Sequence, residues 1–323
     1  MRAKDADLHG VLVVDKPVGP TSHDVVMRLR RTLGTRAIGH AGTLDPAASG
    51  VLVIAIGQAT KLVSYLTAHA KRYEAEITLG TSTTTLDREG DVIGSAPIPA
   101  DLAQELADPN ESAARPLLAR AFEMERIRTE QVPPMFSALK QNGRSLHERA
   151  RRGEIVELPP RAVEVVSLAW RAASANTIDV ELCVSKGYYV RALARDVGTT
   201  LGVPAHLSAL RRAASGPFTL DEALPADATH ETLIGALAPL ATAAGRALPI
   251  ARLSDEGADR ARKGQVLATL HFISAPPPGF SAWLDPHGEL VAVGRGPAPG
   301  NALDADRFVV ERGFSQSTSS AVT

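Results

Sequence analysis

Val11-Leu12-Val13-Val14 is an unbroken apolar run of strand length. It ends in Asp15-Lys16-Pro17-Val18-Gly19-Pro20, where two prolines and a glycine predict a turn. Thr21 or Ser22 suits the cap of a following helix, and Asp24 suits its positive first turn. Val25, Val26, Leu29 and Leu33 recur at helical spacing until Gly34 stops the pattern. Residues 39–50, with three glycines and a proline, fit neither a regular helix nor a central strand and predict a rigid loop presenting Asp45. Val51 to Ile56 is again wholly apolar and predicts a buried strand.

Farther on, Gln58 to Leu66 reads as a short helix. Lys71 to Gly80 alternates in part, with Tyr73, Ala75, Ile77 and Leu79 on one strand face. Thr81 to Gly90 is a polar loop carrying Asp87 and Glu89. Asp101–Leu106 and Ala113–Phe122 read as helices, and Gln131 to Lys140 as irregular because of its paired prolines. Arg144 to Arg152 predicts a basic helix stopped by Gly153. Val163–Trp170 and Thr177–Val184 predict a strand pair, and a helix follows Ser185-Lys186-Gly187-Tyr188-Tyr189-Val190-Arg191 through Leu201. An alanine-rich, nearly uncharged stretch over 232–248 reads as a helix or a linker and places a domain boundary there. Short strands beyond it, with a strong turn at Asp285-Pro286-His287-Gly288, predict a small β-barrel, and the last residues predict a disordered tail.

Composition narrows the function classes. With 323 residues, 44% hydrophobic and 22% charged, the chain can bury a sizeable core. Its single cysteine, Cys183, excludes an intrachain disulfide framework and a cysteine-cluster metal site. No apolar run approaches a membrane span, and the charged start does not read as a signal peptide, so the expected location is the cytoplasm. The net charge of −1 gives no bulk support to nucleic-acid binding. Its distribution says more: residues 25–40 hold four arginines and no acid, and residues 186–215 hold five basic residues against Asp196. Segments like these, gathered on one face, would bind a polyanion, although each taken singly also fits a solvated helix face.

No Walker loop, HExxH pair or GxSxG elbow occurs, so no metal, nucleotide cofactor or serine nucleophile is indicated. Asp45, Tyr73, Asp87, Lys186, Tyr189 and Arg191 remain as scattered polar groups. An aspartate nucleophile must stay ionised when solvent is excluded, and an arginine beside it favours that state. An Asp-Pro pair also serves simply to stabilise a turn, and composition alone favours that use of Asp45.

Several motifs lie in order. They are Asp15-Lys16-Pro17 with Thr21-Ser22-His23-Asp24, Gly39-His40 with Gly42-Thr43-Leu44-Asp45-Pro46, and Lys71-Arg72-Tyr73. Gln131…Pro133-Pro134…Ser137-Ala138…Lys140, Ser185-Lys186-Gly187…Tyr189…Arg191 and Leu210-Arg211-Arg212 follow. Over residues 8–220 the chain resembles the bacterial TruB family of tRNA pseudouridine-55 synthases, with a weaker match to a PUA-like domain beyond 248. The resemblance implies an α+β fold: a mixed, largely antiparallel sheet with flanking helices over 8–232, a PUA-like RNA-binding β-barrel over 248–312, and a disordered tail over 313–323. It implies isomerisation of a uridine in the T-arm loop of tRNA by base flipping, with no cofactor and no metal, by a monomer, with a possible second role in tRNA folding.

By the same resemblance Asp45 is the essential carboxylate. Attack on C1′, attack on C6 and assisted glycal formation all stay open to it. Tyr73 would stack on the target base and serve proton transfer, and Arg191 would pair with Asp45. His40 would stack in place of the flipped base, while Asp87, Lys186, Tyr189 and Leu210 would line the RNA-binding pocket. Thr84 stands where the family often has the first Asp of a Thr-Asp-Thr-x-Asp run, while Asp87 keeps the second. An RNA-folding protein independent of catalysis, or an isomerase of a guide-RNA particle, are the alternatives.

Overall fold

The computed structural model describes residues 8–108, 114–136, 140–141, 144–145, 158–297 and 306–315. Strand β1 (Gly10–Lys16) is the predicted apolar run, and helix α1 (Ser22–Leu33) follows the turn. Thr21 caps α1 reciprocally with Asp24, and Gly34 ends it at φ 68°, a left-handed angle that suits glycine. Ile38–Ala41 forms β2 and Ala48–Ile56 forms β3. The loop predicted over 39–50 is therefore only residues 42–47. Glycine is tolerated in β2 because that strand pairs with β3 alone, at the edge of the sheet.

The main sheet has nine strands. Along its length run Val165–Ala172, Thr177–Val184, β4 (Lys71–Leu79), Ala205–Ser215, β3, β1 and Leu224–Pro225. Phe218–Thr219 pairs off Ala205–Ser215. Only two pairings are parallel, β1 with Leu224–Pro225 and β3 with Ala205–Ser215, so the sheet is mixed and largely antiparallel. The polar stretch after β4 is a short hairpin of Thr81–Thr83 and Val92–Ser95.

One sheet face carries two apolar clusters side by side. Helix α1 covers Leu12, Val14, Leu52 and Ile54, while helices Pro116–Arg126 and Val190–Leu201 cover Ala75, Ile77, Ile178 and Val180. Tyr73 and Leu210 pack against both clusters. They therefore sit at the seam between α1 and the Val190–Leu201 helix, where the helical cover parts. The opposite face of β1 and β3 packs on Leu240–Ala247 and the C-terminal strands, in a cluster that joins Val11 and Val53 to Ala243, Leu284 and Val293. The 232–248 stretch holds the end of helix His230–Gly235 and the helix Leu240–Ala247, broken where Ala238 bridges to Val11, and the alanines of the second helix let it approach the sheet closely.

The C-terminal strands form an open five-stranded sheet, ordered Phe272–Ser274, Ile250–Leu253, Gly279–Leu284, Leu290–Gly296, Val309–Gly313. The expected closed barrel is not met, because the two outer strands do not pair with each other among the described residues. Of the expected tail, Gly313 ends the last strand, Phe314 is buried, and Ser315 exchanges backbone hydrogen bonds of 2.8 Å with the Gln58 amide. Residues 316–323 and most of the predicted basic helix over 144–152 lie outside the described residues, while 144–145 are strand.

Candidate active site

Asp45 stands on the loop between β2 and β3, and buried polar groups from distant parts of the chain hold that loop. Ser22, at the start of α1 and 2% exposed, donates to the Leu44 carbonyl (3.0 Å) and accepts from its N–H (2.8 Å). Arg212 is 1% exposed and spends its guanidinium on three carbonyls: Val51 at 2.7 Å, Gly42 at 3.1 Å and Thr43 at 3.3 Å. Gly50 lies against the same strand at φ +105°. A Cβ there would stand 2.3 Å from the Arg212 carbonyl oxygen. Only glycine fits both the angle and the approach.

Arg191, in the first turn of the Val190–Leu201 helix, reaches the loop across the seam. Its Nε lies 2.9 Å from Asp45 Oδ2 and 3.7 Å from Asp87 Oδ2, with no aligned hydrogen bond to either. Its two terminal nitrogens are committed elsewhere, to the Thr85 carbonyl (2.8 Å) and the Phe136 carbonyl (2.7 Å). The guanidinium is therefore fixed by backbone and brings its charge to within 2.9 Å of Asp45. The Thr85–Asp87 turn that accepts it is strained: Leu86 has φ 63°, the one left-handed non-glycine among the described residues. Asp87 is buried and is held by the Thr85 hydroxyl (2.5 Å) and the Glu89 N–H (3.1 Å). Thr84, at the position where the family often has an Asp, accepts from the Asp91 N–H at 3.1 Å.

The side chain of Asp45 is 38% exposed, toward a cavity of about 250 Å³; protein encloses its other sides. This desolvation raises its pKa above the ordinary carboxylate range. Arg191 opposes the rise, Asp87 adds to it, and Lys16 opposes it more weakly. Tyr73, Leu210, Lys186, Tyr189, Lys71 and Arg212 line the same cavity. Asp87 instead meets Asp45, Arg191 and Leu210 at a small void beside it. Tyr189 precedes the arginine helix, and the buried Gln131 amide binds its backbone N–H (2.8 Å) and C=O (3.2 Å). His40, on β2, does not line the cavity. Burial, and then Arg212, lower its pKa, which keeps the imidazole neutral near pH 7.

Three groups of weight here lie in quoted motifs but carried no predicted role: Lys16, Lys71 and Arg212. Lys16 is fully buried and donates to the Pro17 and Pro20 carbonyls, and burial lowers it to about 8. Lys16 follows Asp15 in what reads locally as a turn, so no local signal marks it; its burial comes from β1 running on to Lys16. Among the described residues, no group of three or more metal-ligating side chains occurs.

A carboxylate beside a buried arginine thus opens onto a cavity lined by Tyr73 and Tyr189 on a mixed sheet. Solved structures share the whole architecture. A Cbf5–Nop10–Gar1 complex contains a chain similar to this one at TM-score 0.70 and 26% identity, covering 95% of this chain and 85% of that one. An H/ACA ribonucleoprotein bound to a substrate RNA containing 2′-deoxyuridine gives 0.66 and 25%, over 96% and 86%. The model of the TruB family pseudouridylate synthase N-terminal domain matches residues 30–190, and that of the tRNA pseudouridylate synthase B C-terminal domain matches 191–238. The tRNA pseudouridine synthase B of Bacillus licheniformis is 44% identical over 81% of this chain and 84% of that protein. Its Thermobifida fusca counterpart is 45% identical over 79% and 85%. The class is that of the pseudouridine synthases, which are isomerases. The chain belongs to the TruB family of pseudouridylate synthases.

Proposed function

We propose that the protein converts the uridine at position 55, in the T-arm loop of tRNA, to pseudouridine, with Asp45 as the essential carboxylate. The observation that carries this is the Asp45–Arg191 pair at the mouth of a nucleoside-sized cavity containing Tyr73, in a chain 40–45% identical to proteins named tRNA pseudouridine synthase B. The reaction leaves the composition of the nucleotide unchanged. The N1–C1′ bond breaks, a C5–C1′ bond forms, N1 gains a proton and C5 loses one. A stacked uridine cannot reach a carboxylate seated in a cavity, so the base is flipped out, at a typical cost of a few kcal/mol.

In this reading Tyr73 stacks on the flipped base and serves the proton transfer, and Leu210 and Tyr189 complete the wall. Asp87 holds Arg191 from behind. His40, neutral and beside the cavity rather than in it, suits stacking in the RNA loop in place of the flipped uridine. The segment over 8–232 acts as the catalytic unit and that over 248–312 as an RNA-binding unit. The protein works as a cytoplasmic monomer, and no helix among the described residues is long and apolar enough to cross a membrane.

The test incubates T-arm stem–loop RNA with excess protein, then maps pseudouridine by reverse-transcription stops after carbodiimide treatment. A stop at the target position is expected. Asp45→Asn should still bind the RNA and give no stop, because a neutral amide is neither nucleophile nor base. An unmodified RNA with the wild-type protein would refute the assignment, and full turnover by Asp45→Asn would refute the role of Asp45.

A further inference from the structure

The Asp45 cavity holds more positive charge than its carboxylate balances. Asp45 is already paired with Arg191, yet Lys71, Lys186 and Arg212 also line the space. Arg212 is committed to backbone carbonyls. Lys71 is 6% exposed, and its ammonium donates at 2.6 Å to the Thr67 and His69 carbonyls. These acceptors are neutral and account for two of its three hydrogens. Lys186 stands exposed on the turn leading to the Arg191 helix, with no hydrogen bond or ion pair among the described residues. A buried lysine without a carboxylate partner is costly unless an anion arrives. Burial lowers Lys71 to about 8, and Arg212 and Lys186 push in the same direction, so the three cations repel one another.

A flipped uridine brings no anion in its base or ribose, since both are neutral near pH 7. Its phosphodiester does. We propose that Lys71 and Lys186 form a phosphate subsite of the Asp45 cavity, which takes a phosphodiester flanking the target uridine. The proposal rests on the reading of this cavity as the uridine site. A base flips by rotation about its backbone, so the flanking phosphate is the hinge of that rotation. Fixing it beside Asp45 determines where C1′ comes to rest. Lys71, with its ammonium anchored by two carbonyls, supplies the rigid charge, and the exposed Lys186, on the turn before the Arg191 helix, supplies the second.

The experiment uses full-length protein and three T-arm stem–loops: unmodified, with a neutral methylphosphonate 5′ of the target uridine, and with one 3′ of it. With the wild-type protein, one of the two replacements should weaken binding about tenfold, as expected for loss of one charge-assisted contact. Lys186→Met, at a side chain exposed and unpaired among the described residues, should fold normally by thermal unfolding and bind unmodified RNA more weakly. It should lose most of its sensitivity to that same replacement. Its salt slope should fall by about one phosphate contact. A wild-type protein that converts unmodified RNA but is indifferent to both replacements overturns the subsite alone. So does a Lys186→Met variant that keeps the full tenfold penalty. An unmodified RNA that is not converted overturns the parent reading, and the subsite with it.

Discussion

Replacing Arg191 with methionine removes the guanidinium but keeps much of its bulk against the helix. In the structure this leaves Asp45 and Asp87 facing one another without the cation that stood 2.9 Å and 3.7 Å from them. At 2.9 Å and an effective dielectric constant of about 20, a unit ion pair attracts by about 6 kcal/mol. Because 38% of the Asp45 side chain meets solvent, about half of that, ~3 kcal/mol, is a fairer figure. The sign follows from the protonation states. Arg191 holds the Asp45 pKa down against burial, so its loss raises that pKa further. A carboxylate that must be ionised to react is lost as pH falls through its pKa, and the acid limb of the rate profile should move to higher pH. The assay is single-turnover release of tritium from RNA labelled at C5 of the target uridine, since that hydrogen leaves when C5 joins C1′. An Arg191→Met acid limb at the wild-type position would refute the electrostatic role. Arg191→Lys should fall between the two, because a point ammonium cannot reach Asp45 and both the Thr85 and Phe136 carbonyls.

Two predictions concern the loop that carries Asp45. Ser22→Ala strands the buried N–H and C=O of Leu44 and should cost about 2–3 kcal/mol, seen as a drop of several degrees in Tm, with kcat falling more than KM rises. An unchanged Tm would mean that water or a shifted backbone replaces the hydroxyl. Gly50→Ala forces a Cβ to within 2.3 Å of the Arg212 carbonyl at φ +105°. It should be among the most destabilising single changes in the chain, above about 4 kcal/mol, and mild behaviour in urea unfolding would show that β3 can move there.

Much of the frame was legible in the sequence. The apolar runs of β1 and β3 and the period of α1 report burial directly, because a side chain's environment repeats with the local geometry of its element. The turn at 285–288 was equally plain: Asp285 accepts from the His287 and Glu289 N–H groups (both 3.0 Å), as an Asx turn does. The motif order also named Asp45, Tyr73 and Arg191 together. Local pattern failed where edges and closure matter. It reads Gly39–Ala41 as loop, ruling out only a central strand, where an edge position makes it strand, and it expects a barrel where the described strands leave the sheet open.

What only the tertiary structure decided is how the site is held. Arg191 is aimed by a carbonyl 106 residues away and another 55 away, and Arg212 fixes the Asp45 loop from a strand more than 160 residues downstream. Such bonds leave no trace in the neighbouring sequence, because a carbonyl oxygen is the same group whatever residue carries it. The sequence by itself determined the apolar strands β1 and β3, the helix α1 and which carboxylate the Asp-Pro loop presents. The folded chain determined that the carboxylate meets a charge held rigid on both sides, in a cavity whose surplus of cations no local pattern could reveal.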